Sequence, residues 1–204
     1  MARISKHPEE RRKDLIDAAE FLFMTKGYEQ TAISDIVKRV NVAQGTFYYH
    51  FKSKIEILEQ VAKKSIVSLV RDVQMTVQKT DVSPVTKLNE FLQTFVRFGT
   101  SDKELAGFLH KESNLIIHNK LSKTTMAQVV PLLTKIIREG KSEGFFTVTH
   151  CVETAKFLFL AMTEMFHDPE VMRDSRHIQR ALNAFEHCVG RVLGMEDGSI
   201  RMIS

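Results

Sequence analysis

Cysteine is nearly missing from this chain. Two residues, Cys151 and Cys188, far apart in a sequence of 204, cannot form the disulfide framework of a small secreted scaffold. No apolar segment precedes the first charged residues, and no run approaches the roughly 18 consecutive apolar residues that a membrane span needs. Even Phe157-Leu-Phe-Leu-Ala-Met162 is bounded by Lys156 and Glu164. The expectation is a cytoplasmic protein with reduced thiols and no membrane role. Proline is scarce too: the chain holds four, all near boundaries or first turns except Pro131, which is expected to kink or offset its helix. Strand signals are few, and there is no internal repeat or low-complexity tract.

The constellations of enzymes are also wanting. There is no nucleophile elbow, phosphate-cradling glycine loop or coherent acid–base pair, so no catalytic residue and no cofactor are expected. Glu164-x-x-His167 has the spacing of carboxylate-bridged di-iron bundles, but that chemistry needs a second such pair and two more glutamates. The neighbours His150-Cys151 and His187-Cys188 point apart on a helix and make poor chelates, and His110 and His118 read as satisfied polar residues. No metal site is expected.

What remains is an ordinary globular composition, 43% hydrophobic and 26% charged, with enough chain for one core or for a small domain and a larger one. The net charge of +4 leans toward the first third, where residues 1–64 hold 12 Lys and Arg against 9 Asp and Glu. Such an excess favours phosphate, though many surfaces show as much.

Helices account for the pattern throughout. Pro8 followed by Glu9 and Glu10 opens a first helix that runs to Gly27 with Leu15, Ala18, Ala19, Leu22 and Phe23 on one stripe. Thr31 is placed to cap a second, short helix striped by Ile33, Ile36, Val37 and Val40, with Asn41 at the turn. Ser53 and Glu56 form a capping box for a long helix over 53–79, which at 1.5 Å per residue spans roughly 36 to 39 Å. Further helices are expected over 84–99, 103–119, 124–140, 150–167 and 175–194, with a break at 119–122. The tail after Met195 has little to hold it.

The chemistry concentrates between residues 44 and 54. Phe47 and Phe51, four apart, anchor a short helix in the core and leave Gln44, Gly45, Thr46, Tyr48, Tyr49 and His50 turned outward. The Gln44 amide suits a base edge, with adenine its usual partner, and Thr46 offers a hydroxyl and a methyl. Gly45 costs about 1 kcal/mol in a helix relative to alanine, which makes sense where backbone must approach DNA closely. Tyr48, Tyr49, His50 and Lys54 can donate to phosphate. Any one of these alone reads as packing or solvated surface; together, two short helices, a turn and a capped third helix read as a DNA-reading head.

Residues 9–56 resemble the amino-terminal domain of the TetR family of transcriptional regulators. Ala18-Ala19, Leu22-Phe23, Lys26-Gly27-Tyr28, Thr31, Asp35-Ile36, Val42, Gly45-Thr46-Phe47-Tyr48, His50-Phe51 and Lys54 fall in the family's order. The resemblance implies an all-α fold: a three-helix helix-turn-helix head over 1–53 and a larger ligand-binding and dimerisation domain over 54–204, linked by helix 53–79. It implies a homodimer that binds a palindromic operator, usually as a repressor, and a small-molecule effector that lowers DNA affinity through the long helix. By position, the family's contacts fall on Thr31, Ser34, Ala43, Gln44, Gly45, Thr46, Tyr48, Tyr49, His50 and Lys54. Ser34 stands where many relatives have a longer polar or basic residue, and Ala43 where serine is common, so both shorten the contact list. The basic arm of Arg3, Lys6, Arg11, Arg12 and Lys13 reads as a disordered tail or as a minor-groove contact.

Beyond residue 80 the resemblance is looser. Residues 140–146 look like the turn that ends the family's seventh helix, and the helices over 150–167 and 175–194 fall where the family dimerises. Their own pattern suits either a dimer interface or a purely intramolecular core: one is apolar almost all round, and the other has a seam of Ile178, Ala181, Leu182, Phe185, Cys188, Val189, Val192 and Leu193. The helices between 84 and 166 are then expected to enclose a cavity for a hydrophobic or aromatic effector. Its wall candidates are Phe91, Phe95, Phe98, Phe108, Met126, Val130, Phe159, Met162 and Met165, residues that equally suit a plain core. Glu112 and Glu164 are candidates for inward carboxylates. The competing reading is a helical interaction module whose head no longer reads DNA. Its mark would be acidic residues at 44–50 or lost caps, and the sequence has neither.

Overall fold

A computed structural model describes residues 7–100, 115–195 and 199–202, and among these the chain is all-helical. The described residues fall into two compact units: 7–66 with 115–118, and 67–100 with 119–195 and 199–202.

The first unit is built on three helices and the start of a fourth. α1 (Pro8–Lys26) begins with proline, which needs no amide partner there, and ends at Gly27, whose amide donates to the Phe23 carbonyl at 3.0 Å and whose φ of 85° turns the chain out of the helix. α2 (Ile33–Val40) stops at Asn41, in the left-handed region with φ 56°, a conformation asparagine tolerates. α3 (Gln44–His50) follows after a short turn, and α4 (Lys54–Gln78) begins in this unit and continues into the second. Leu15, Ala19, Phe23, Ile36, Phe47, Phe51, Ile57 and Leu58 are buried together. These are the positions that the 3.6-residue period places on one side of each helix.

The cap of α2 differs from the expectation. Thr31 is buried, and its hydroxyl donates to the Gly27 carbonyl at 2.7 Å. The exposed amide of Ala32 donates instead to Asp35 Oδ2 at 3.0 Å, and Lys26 Nζ meets the same oxygen at 2.5 Å. The Thr31 hydroxyl is turned toward the end of α1, and Ala32, one residue further on, is the N-cap of α2. At the head of α4 the Ser53 hydroxyl accepts from the Glu56 amide at 3.3 Å, while the Glu56 carboxylate reaches one residue further back, to the Lys52 amide at 2.6 Å.

The second unit holds α5 (Pro84–Thr100), α6 (Leu115–Ser142) from residue 119 onward, α7 (Cys151–His167) and α8 (Ser175–Leu193), with a 3-10 turn (Val171–Arg173) before α8. The helix expected over 103–119 lies outside the described residues as far as 114. The break expected at 119–122 is absent: α6 runs unbroken from Leu115 past Pro131. Leu121, Val129, Leu133, Ile136 and Ile137 maintain one buried stripe through it, so packing overrides the weak breaking tendency of Asn119 and Ser122.

Close approach explains two glycines. A Cβ on Gly99 would stand 2.7 Å from the Phe166 ring, and one on Gly140 would overlap the Phe146 ring. Lys87 is buried at 3% exposure and ion-paired with Glu139. Residues 199–202 are docked rather than loose, contrary to the expectation for the tail. Asn89, Gln93 and Glu186 bind their backbone, and Ile200 and Met202 are buried.

Candidate nucleic-acid interface

Phe47 and Phe51 seat α3 in the head, exposed by 0% and 1%, with ring centroids 5.6 Å apart. That anchor decides what faces out. Ser34, Ala43, Gln44, Gly45, Tyr48 and Tyr49 are exposed, and Thr46 and His50 are half-buried. Tyr48 and Tyr49, at 53% and 76%, are large aromatic groups held at a surface by a helix too short to bury them.

Gly45 is informative because nothing inside the protein asks for it. A Cβ there would meet no atom within 4 Å. A helical glycine sacrifices about 0.5–1 kcal/mol relative to alanine, and no packing contact among the described residues offsets that cost.

Two expected contact residues are engaged by partners within the head. Thr31 is 1% exposed and committed to the Gly27 carbonyl. Lys54 Nζ donates to the carbonyls of Tyr28 at 2.9 Å, Thr31 at 3.0 Å and Glu29 at 3.4 Å, and stands 4.3 Å from the centroid of the Tyr28 ring. Burial first, and then the Glu29 carboxylate, push the Tyr28 phenol up to about 12, so that ring stays neutral beside the ammonium.

Burial and charge act on His50 as well. Its imidazole is held below the ordinary histidine value, by burial first and then by the Arg12 guanidinium, with Arg11 adding to the effect and Glu9 opposing it. Arg12 also lies 5.1 Å from the centroid of the Phe51 ring. Arg12 thus joins the site through α3's own anchor, a connection that the charge pattern of 11–13 hinted at without locating. Arg3 and Lys6 lie outside the described residues. A second contact unmarked in the sequence is the Arg39 guanidinium, 3.6 Å from the centroid of the exposed Phe21 ring.

Of the effector-pocket candidates, Phe91, Phe95, Val130, Phe159 and Met162 are buried, and Phe98, Met126 and Met165 are half-buried. Phe108 and Glu112 lie outside the described residues. Four of them form one cluster: the Phe95 ring stands 6.2 Å from Phe91, 6.0 Å from Phe98 and 5.6 Å from Phe159. Glu164 points outward instead of in, with its side chain 84% exposed and 4.0 Å from His167 Nδ1, since the inward positions of α7 go to Leu158, Phe159, Met162 and Phe166. Among the described residues no group of three or more His, Cys, Asp or Glu is placed to hold a metal, and no helix is long and apolar enough to cross a membrane.

Comparison with known proteins agrees in both halves. Residues 15–61 match the family model described as bacterial regulatory proteins of the tetR family, and residues 98–188 match the tetracyclin repressor-like C-terminal domain. The negative transcriptional regulator IcaR of the biofilm operon icaADBC in Staphylococcus aureus is 39% identical over 82 residues, a stretch covering 40% of this chain and 44% of that protein. A TetR/AcrR-family regulator from Thermobifida fusca superposes with a TM-score of 0.68 at 19% identity, covering 94% of this chain and 100% of that one. RolR in complex with the ligand resorcinol gives 0.66 at 21%, covering 93% and 90%. At such identity the two structures speak for the fold. With an amino-terminal and a carboxy-terminal model of the same family matched in order along an all-helical chain, the protein belongs to the tetR family of bacterial regulatory proteins.

Proposed function

We propose that this chain is a ligand-responsive, DNA-binding transcriptional repressor that binds a palindromic operator as a homodimer and is released by a small hydrophobic molecule. It works as a non-enzymatic regulator in the cytoplasm. The observation that carries the reading is Gly45, a helical glycine with open space around it in the middle of an exposed polar and aromatic surface. A phosphate backbone or base edge arriving at that point accounts for the missing side chain.

In this reading the head over 1–53 reads DNA and residues 54–204 bind the effector and dimerise. Gln44 and Thr46 face bases, with Ser34 and Ala43 at the margin. Tyr48, Tyr49 and His50 face phosphates, and Gly45 lets the helix in. Thr31 and Lys54 act from behind, tying the α1–α2 loop in place. Two heads entering successive major grooves stand about 34–36 Å apart. α4, running from one unit into the other, carries the effector's influence to that spacing. The effector enters beside Phe91, Phe95, Phe98 and Phe159, with Met126, Val130, Met162, Met165 and Phe108 as further wall candidates. IcaR, similar over 82 residues, is a negative regulator, and the RolR structure holds resorcinol, an aromatic molecule; both support the reading.

The test is selection of bound sequences from a random DNA pool. The wild-type protein is expected to enrich an inverted repeat, and Gln44→Ala to relax the preference at one base pair in each half, a discrimination worth about 1–3 kcal/mol. Failure to enrich any palindrome at low salt sinks the proposal.

A further inference from the structure

Residues 199–202 are gripped by side chains of α5 and α8. Asn89 uses both ends of its amide, donating to the Ser199 carbonyl at 3.2 Å and accepting from the Arg201 amide at 3.0 Å. One turn further along α5, Gln93 donates to the Arg201 carbonyl at 3.2 Å. From α8, the Glu186 carboxylate accepts from the Met202 amide at 2.5 Å. Every one of these bonds addresses the backbone, so none of them reads a side chain of the segment.

Side-chain burial adds a pattern. Ile200 and Met202 are 4% and 2% exposed, whereas Arg201 between them is exposed. That alternation is the mark of an extended segment with one face inserted. Backbone hydrogen bonds for affinity and recesses for alternate side chains for selectivity are how proteins capture extended peptides. Asn89 and Gln93, four apart, share one face of α5. The same helix places Phe91 and Phe95 in the aromatic cluster. None of the DNA-facing residues takes part.

We propose that Asn89 and Gln93 of α5 together with Glu186 of α8 form a peptide-binding site for an extended segment with apolar residues two apart. Its resident ligand is the chain's own residues 199–202, which act as an exchangeable clasp between the two helices. A grip of four backbone bonds and two apolar side chains is short enough to open and reclose. The clasp and the aromatic cluster share α5. That link to effector control rests on the function proposed above, whereas the peptide site does not.

The test uses the full chain. In the double variant Ile200→Asp with Met202→Asp the segment stays attached but undocks. A fluorescent peptide carrying the wild-type sequence of residues 195–204 is then titrated in and followed by anisotropy. The undocked variant is expected to bind it saturably. Wild type is expected to bind at least about tenfold more weakly, because a tethered segment competes at an effective concentration of the order of millimolar. A peptide bearing the same two aspartates is expected not to bind. If the variant is folded by circular dichroism and shows no saturation up to millimolar peptide, the proposal is overturned.

Hydrogen exchange on the wild-type chain gives an independent reading if the variant does not fold. The Arg201 and Met202 amides are expected to be protected, and Asn89→Ala to speed exchange at Arg201 at least about tenfold while the helical interior of α6 is unchanged. Unprotected amides at both positions in the wild type would rule the clasp out.

Discussion

The Lys54 ammonium is surrounded by three carbonyl oxygens and an aromatic face, so a phosphate reaching it has to compete with partners already in place. Hydrogen bonds to a charged donor contribute roughly 1.5–3 kcal/mol when one side is removed. Lys54→Met is therefore expected to lower head stability by about 1–3 kcal/mol in urea melts while leaving the salt slope of DNA binding unchanged. A slope reduced by about one with stability intact would move Lys54 to the phosphate contacts instead. Gly45 predicts the opposite pairing. Gly45→Ala is expected to raise stability by up to about 1 kcal/mol and yet weaken operator binding, because the new methyl is welcome in the free head and unwelcome against DNA. If the variant binds as tightly as wild type, the close-approach argument fails.

His50 supplies a pH dependence. Burial and the Arg12 charge hold its folded value below the ordinary one, so between the folded and unfolded values the unfolded chain binds more protons. Its contribution to stability is present above the unfolded value near 6.5 and is lost as pH falls through the folded value. Urea midpoints of the wild type are expected to decline below about pH 6.5, and His50→Gln to flatten that decline in part. Identical profiles for the two proteins would show that His50 is not linked to folding.

At the scale of the element, α3 depends on the head core for its existence. Seven residues form too short a helix to persist alone, and Phe47 and Phe51 supply what propensity lacks. Phe47→Ala leaves a cavity in the head core and is expected to cost about 3–5 kcal/mol, enough to unfold the head cooperatively by circular dichroism while the second unit retains helix. Local pattern was sufficient to read α3 in the sequence, since its anchors lie four apart and its outward residues fall just before and between them. The same logic failed at residues 119–122. The polar Asn119 and Ser122 look like a break locally, but Leu121 belongs to a buried stripe that runs the length of α6.

At the scale of the molecule, α7 and α8 keep apolar groups on their outer faces. Phe157, Leu160 and Val192 are 69%, 48% and 51% exposed, although the inner faces of both helices are already packed. In the homodimer proposed above, these are the faces that two copies bury against each other as a four-helix interface. Phe157→Glu combined with Val192→Glu is expected to yield monomers by analytical ultracentrifugation and to weaken operator binding at least about a hundredfold, since one head then binds without its twin. A dimer that survives the double substitution places the interface elsewhere.

The sequence by itself determined the helical class, most helix boundaries, the core of the head and the membership in the tetR family. All of these rest on residues three and four apart, or on a motif carried by one continuous stretch. Tertiary structure alone decided that Thr31 turns inward, that Lys54 serves the α1–α2 loop, that Glu164 faces out, and that residues 199–202 dock on Asn89, Gln93 and Glu186. Those outcomes depend on partners as much as 112 residues away along the chain. Helical periodicity reports which side of an element is apolar; it says nothing about which distant polar group arrives to satisfy an amide, a hydroxyl or an ammonium once the elements have packed.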